Sequence, residues 1–289
     1  MKNGSLKLKI LSDGNFKVDG GAMFGRIPKT SWETWVKPDR SNRVRLGVNC
    51  LLIECPEGSI LVDTGFGSKN GHDTHNGTHN GTNGHSALNL SPGRILKALR
   101  DHGTDPKDIQ FVLMSNLRFL HAGGATRISR NGGLAPSFVN ARYLLQSAAF
   151  NDACNPSARN QGSFSLKDFQ PLQDHNQLDL IDGDSEVAPG IWVKAVGGPS
   201  LGHQIILVNR SGTKAAFLGD LIPTPYHLPL THIGAFDHAP DETQEWKEEL
   251  LNRLEREGWL IIFTHGNEGN RAGYLERRNG TLSLRPVEI

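Results

Sequence analysis

Five short blocks carry the side chains of this sequence that could do metal or acid–base chemistry. They are Val62-Asp63-Thr64-Gly65, Ser115-Asn116-Leu117-Arg118-Phe119-Leu120-His121, Gly197-Gly198-Pro199-Ser200-Leu201-Gly202-His203, Phe217-Leu218-Gly219-Asp220 and Phe263-Thr264-His265. Imidazole nitrogen and carboxylate oxygen are donors that zinc, iron and manganese accept. The blocks hold His121, His203 and His265 with Asp63 and Asp220, imidazoles and carboxylates of these two kinds. The same groups serve metal-free chemistry, in which a histidine oriented by an aspartate acts as general base. Arg118 adds a fixed positive charge, and with Asn116 it could hold an anionic or carbonyl oxygen of a substrate.

Each block needs a rigid element to aim it, and each follows a strand-like run. Residues 49–54 and 59–63 flank the turn Pro56-Glu57-Gly58 and predict a hairpin, after an alternating strand at 6–11. Ile95, Leu96 and Leu99 mark a helix with Ser91 as its cap, Pro92 at its first position and Gly103 past its end. An apolar strand at 108–114 runs into the His121 block, and 141–150 reads as a strand-to-helix passage. The second half repeats the style, with strands at 191–196, 204–208, 214–218 and 259–263. Between the last two, an amphipathic helix over 241–257 takes Asp241 as cap and Trp246, Leu250, Leu251 and Leu254 as its buried stripe. Hairpins followed by helix–strand units, twice over, predict an α/β fold of two mixed sheets packed face to face with helices outside. No Pro/Ser-rich linker divides the halves, so residues 1–289 read as one domain.

Composition excludes several classes. With 31 basic and 30 acidic residues and a net charge of +1, the chain carries no electrostatic footprint for nucleic acid or an anionic membrane. The longest apolar runs are of core-strand length, and residues 1–5 lack the apolar stretch of a signal peptide. Cys50, Cys55 and Cys154 form no CxxC pair, so they read as reduced thiols, mostly core filler, in a cytoplasmic protein. The expected partner is a small molecule. Residues 70–86 stand apart as an insertion rich in His, Asn, Gly and Thr, with no apolar anchor. That composition predicts a mobile surface loop whose four histidines could collect a transition metal.

In order, the five blocks resemble the metallo-β-lactamase superfamily, in its lactonase-like and organophosphate-hydrolase-like branch. The resemblance runs through nearly the whole chain, adding Ser12-Asp13-Gly14, Gly20-Gly21-Ala22-Met23-Phe24-Gly25 and residues 223–240 with His227, Phe236 and Asp237. It implies a four-layer αβ/βα sandwich, hydrolysis of an ester, lactone or phosphoester, and a homodimer interface along residues 221–240. It also implies roles. The family's His-x-His-x-Asp-His block falls here on Asn116, Arg118, Leu120 and His121; a further ligand histidine falls on Pro199, the bridging aspartate on Asp220 and the last histidine on His265. One metal site thus loses all its histidines, while the other loses an aspartate to Leu120 and keeps His121, Asp220 and His265. Asp63 and His203 take supporting positions behind the ligands. His227, with Tyr226 and Phe236, takes the substrate-side wall.

Three readings stay open. Arg118 replaces part of the metal charge in a repurposed or inactive pocket that binds a small anion, paired with Asp220. Alternatively, His121, Asp220 and His265 hold a single metal and the chain remains a hydrolase. In the third, His121 or His265 acts as a metal-free base oriented by Asp220. The cofactor expectation is none or one divalent cation (zinc, iron or manganese), and a two-metal centre is not expected.

Overall fold

The computed structural model describes residues 6–69, 93–278 and 280–289. The chain runs through β1 (Lys7–Asp19), the short helices α1 (Gly20–Phe24) and α2 (Lys29–Trp32), β2 (Arg43–Cys55) and β3 (Gly58–Val62). Next come α3 (Ile95–His102), β4 (Ile109–Leu113), α4 (Phe119–Ala122), the small strands β5 (Thr126–Ile128) and β6 (Leu134–Pro136), and β7 (Arg142–Gln146). Helices α5 (Ser147–Cys154) and α6 (Leu166–Asp174) lead to β8 (Leu178–Ile181). The remainder comprises β9 (Ser185–Ala188), β10 (Ile191–Ala195), β11 (Gln204–Arg210), β12 (Thr213–Phe217), α7 (Pro240–Arg256), β13 (Leu260–Ile262), β14 (Ala272–Arg278) and β15 (Thr281–Pro286).

One sheet has the order β1-β2-β3-β4-β7-β8 and another β15-β14-β13-β12-β11-β10-β9. Both are mixed: β3, β4, β7 and β8 pair in parallel beside an antiparallel β2–β3 hairpin, and β12–β13 is the parallel pair of the second sheet. The fold class expected from the sequence, mixed sheets with helices, is the one found. Contacts divide the chain into two compact units, residues 1–14 with 48–183 and residues 15–47 with 184–289. No helix among the described residues is long and apolar enough to cross a membrane.

In the first unit, helices α3, α5 and α6 bury Ile95, Leu99, Ala149, Ala153, Phe169 and Leu172 in one apolar cluster with Leu61, Val112, Tyr143 and Leu145 from the strands. Helix α3 stops at Gly103, whose φ of 92° is the left-handed conformation that glycine adopts without a Cβ penalty. Ser91 and Pro92, expected at its start, lie outside the described residues, as does the whole of the 70–86 insertion. The start is served from a distance instead: the Asp13 carboxylate accepts the N–H groups of Arg94 and Ile95, both at 2.6 Å.

In the second unit, α7 packs Leu250, Leu251 and Leu254 against Ile205, Ala216, Ile261 and Phe263. Two details of α7 correct the sequence reading. Ala239 is the cap and Pro240 the first helical residue, because proline has no N–H to leave unsatisfied and its fixed φ suits a helix start; Asp241 lies inside the first turn, opposite the positive end of the dipole. Trp246 is half-buried, and the fully buried neighbour is Lys247. Of the cysteines, Cys50 is buried, Cys55 half-buried and Cys154 exposed, so the core-filler expectation holds for Cys50 alone.

Candidate functional site

In the first unit the site is built on the turn that follows β3. Asp63 adopts a φ of 56°, a conformation costly for a residue with a Cβ. Four hydrogen bonds hold it there. Its N–H donates to the Leu113 carbonyl at 2.9 Å, and its carboxylate accepts from the Ser115 N–H at 2.7 Å, the Ser115 hydroxyl at 2.8 Å and His121 Nδ1 at 2.7 Å. Asp63 and His121 are both 1% exposed. A carboxylate only accepts, so His121 donates from Nδ1, which makes Nε2 the ring atom able to serve as a ligand. Thr64 fastens the same turn from the other side, donating its N–H and its hydroxyl to the His121 carbonyl, each at 2.8 Å.

Asn116 and Arg118 enter α4 beside this pair. The Asn116 side-chain oxygen accepts the Arg118 N–H at 2.8 Å and its amide donates to the Ser115 hydroxyl at 3.3 Å, so this side chain works in the turn that starts α4. Arg118 is half-buried. The glycines that follow are required for close approach: a Cβ on Gly124 would meet the Thr64 carbonyl oxygen at 2.1 Å.

Sequence reasoning passed over two supports of this turn. The buried Lys69 ammonium donates to the Gly123 carbonyl and pairs with the buried Asp168 carboxylate at 2.7 Å. Asp13 accepts the Gly67 N–H at 3.0 Å besides its bonds to α3, and burial pushes its carboxyl up to about 6. A lysine near a glycine-rich loop and an aspartate far upstream give no local pattern that marks these jobs.

In the second unit, Asp220 lies in the 3-10 turn Gly219–Leu221 after β12. Its N–H donates to Nε2 of the fully buried His203 at 3.0 Å, which makes His203 an acceptor there and a brace for the turn. His265 follows β13, with its N–H on the Pro223 carbonyl and its Nδ1 2.9 Å from the Gly47 carbonyl. A carbonyl likewise only accepts, so Nδ1 again carries the proton. Nε2 lies 3.6 Å from Asp220 Oδ1. An imidazole nitrogen and a carboxylate oxygen are both atoms that a divalent cation accepts, so the pair fits a metal ion. Pro199 carries no side-chain ligand atom. Its loop is pinned to the start of α7 by Gly198 N–H to Glu242 at 3.1 Å and Ala239 N–H to the Gly198 carbonyl at 2.8 Å.

His227 departs from the substrate-wall expectation. It is 1% exposed and stacked on Phe24 at 5.4 Å between ring centroids. Nε2 donates to the Met23 carbonyl at 3.0 Å, so Nδ1 accepts from the Thr224 hydroxyl at 2.7 Å. Both nitrogens are spent on the protein, and burial depresses its basicity to about 3. Its neighbour Tyr226 stacks on Trp35, which also stacks on His232. Phe236, the other residue of the expected wall, is 47% exposed.

The family model of the metallo-beta-lactamase superfamily matches residues 43–265, and the chain belongs to that superfamily. Its curated relatives are lactonases. An N-acyl homoserine lactonase from a Bacillus species is 31% identical over 166 residues, 56% of this chain and 58% of the relative, so the chain spans under two thirds of that protein's length. The N-acyl homoserine lactonase AiiB of Agrobacterium fabrum (strain C58) is 28% identical over 279 residues, covering 91% of this chain and 94% of its own. Among solved structures, a probable metal-dependent hydrolase from Staphylococcus aureus superposes with a TM-score of 0.83 at 28% identity, covering 100% of both chains.

Proposed function

We propose that this chain is a metallo-β-lactamase-fold hydrolase whose metal centre has contracted to at most one divalent cation, held by His121, Asp220 and His265, with weak ester or lactone hydrolysis. The observation that carries this reading is the Asp220–His265 pair: a carboxylate oxygen and an imidazole nitrogen, both metal-ligand atoms, lie 3.6 Å apart, with the other ring nitrogen committed to a carbonyl. His121 supports it from the first unit, because its Nδ1–H is fixed on a carboxylate as in carboxylate–histidine–zinc arrangements. Zinc, iron or manganese suits this donor set, and such a cation supplies Lewis-acid polarisation and acidifies water.

The chain's own residues do the rest. Asp63 and Ser115 set the tautomer and angle of His121, and His203 holds the Asp220 turn. Asn116 shapes the start of α4, from which Arg118 offers a guanidinium to a substrate carbonyl or to a carboxylate product. Asn116, Arg118, Leu120 and Pro199 supply no good ligand for a second cation, which is why the reaction expected is slower than that of a two-metal hydrolase. A lactone is the favoured test substrate because the relatives AiiB and its Bacillus counterpart are N-acyl homoserine lactonases.

A second reading rests on the charge of Arg118: a cation-free pocket that binds a small anion and turns nothing over. Elemental analysis of untagged protein separates the two, repeated with residues 72–85 deleted. About one metal per chain that is lost in His265→Ala and kept in the deletion is the result expected for a single-cation centre. Metal lost with the deletion alone, or no metal together with anion binding abolished in Arg118→Ala, overturns it in favour of the second reading.

A further inference from the structure

We propose that the β5–β6 hairpin and the first turn of α6 form a docking face for an anionic phospholipid bilayer. Ile128 and Leu134 lie directly opposite each other in the hairpin, so their side chains share one face. They are 44% and 37% exposed, and Leu166 at the head of α6 is 56% exposed. The Thr126 hydroxyl donates to the Lys167 carbonyl at 2.7 Å, which brings the start of α6 to that same face of the hairpin. Aliphatic side chains left this exposed add little to the core beneath.

Charge identifies the occupant. Arg130 in the hairpin turn and Lys167 beside Leu166 adjoin these residues, Arg127 alternates to the other face of the hairpin, and neither 121–151 nor 153–167 contains an aspartate or glutamate. The carboxylates just outside those stretches, Asp152 and Asp168, are buried. Arg127 and Arg130 make no ion pair among the described residues. The chain's net charge of +1 therefore conceals a local excess of cations around an apolar tip.

That pairing matches a bilayer interface, where aliphatic groups enter below the headgroups while guanidinium and ammonium groups meet lipid phosphates. The turn is well closed, with Ser129 N–H on the Gly133 carbonyl at 2.8 Å and Gly132 N–H on the Ser129 carbonyl at 3.0 Å. The inference does not rest on the hydrolase reading, because none of these residues belongs to the candidate site.

Cosedimentation of the full chain with vesicles tests it, using phosphatidylcholine alone and phosphatidylcholine with about 30 mol% phosphatidylglycerol. Binding to the anionic vesicles is expected to be at least about tenfold tighter and to weaken with added salt. The double variants Ile128→Asn/Leu134→Asn and Arg127→Gln/Arg130→Gln should each lower it by roughly tenfold, and the second should also flatten the salt dependence. Thermal melting verifies the fold of each; if the apolar pair melts early, the arginine pair carries the test. Equal binding to both vesicle types, or variants that bind as the parent does, overturns the proposal. So does a concentration-dependent dimer abolished by Ile128→Asn/Leu134→Asn, which would assign the face to a second copy of this chain.

Discussion

His121 and His227 are equally buried and end in opposite chemical states. Each sits at 1% exposure in a short turn, and each has both a hydroxyl and a stronger partner in reach. At His121 the strong partner is the Asp63 carboxylate on Nδ1, so a metal could be met only by Nε2. At His227 it is the Met23 carbonyl on Nε2, and the Thr224 hydroxyl closes the other nitrogen. Neither burial nor residue type marks a candidate ligand. The partner that fixes the tautomer does, because a metal takes a lone pair and a spent nitrogen has none to give.

The comparison breaks most sharply at the ligand itself. His121→Ala should cost on the order of a thousandfold in metal affinity, about 4 kcal/mol, read by competition with a chromogenic chelator. His227→Phe should leave metal content unchanged. If the two variants lose metal alike, the distinction between them fails.

Acid sharpens it next. His227 is held near 3, below its unfolded value of about 6.5, so between those values the unfolded chain binds more protons. The stability it contributes is complete above about pH 6.5 and is lost as pH falls toward 3, by at most roughly 4 kcal/mol. Urea melts from pH 7 to 4 should show that slope in the parent chain and a shallower one in His227→Phe. An unchanged slope would place the acid sensitivity elsewhere.

Asp63→Asn tests what the carboxylate does for His121. An amide can present its N–H to Nδ1 and reverse the tautomer, so metal affinity should fall about 10–100-fold, measured by the same chelator titration. Asp63→Glu restoring affinity without restoring the turn's stability would separate charge from geometry. The smallest effect belongs to Ser115→Ala, which removes one hydroxyl donor from Asp63: about 1 kcal/mol of stability by urea melt, with metal content kept.

Much of the frame was legible in the sequence, because apolar periodicity and turn residues act locally. The β2–β3 hairpin, the apolar run into β4, and α7 with Leu250, Leu251 and Leu254 lie where their patterns point. Helix ends were read less well, since Pro240 starts α7 ahead of Asp241 and α3 receives its cap from Asp13, far upstream. Lys247 was invisible for the same reason. A lysine on a helix predicts solvent, yet the Pro229 and His232 carbonyls bring its ammonium into the interior at 2.7 and 2.8 Å.

By itself the sequence determined the superfamily and the mixed α/β architecture, for which apolar period and residue type at strand ends are sufficient information. Tertiary structure alone decided which nitrogen of each histidine is committed to the fold, which carboxylates are buried, and that Ile128, Leu134 and Leu166 stay exposed. Those properties depend on partners distant in sequence, Asp63 for His121 and Gly47 for His265, and hydrogen-bond direction exists only once such partners meet.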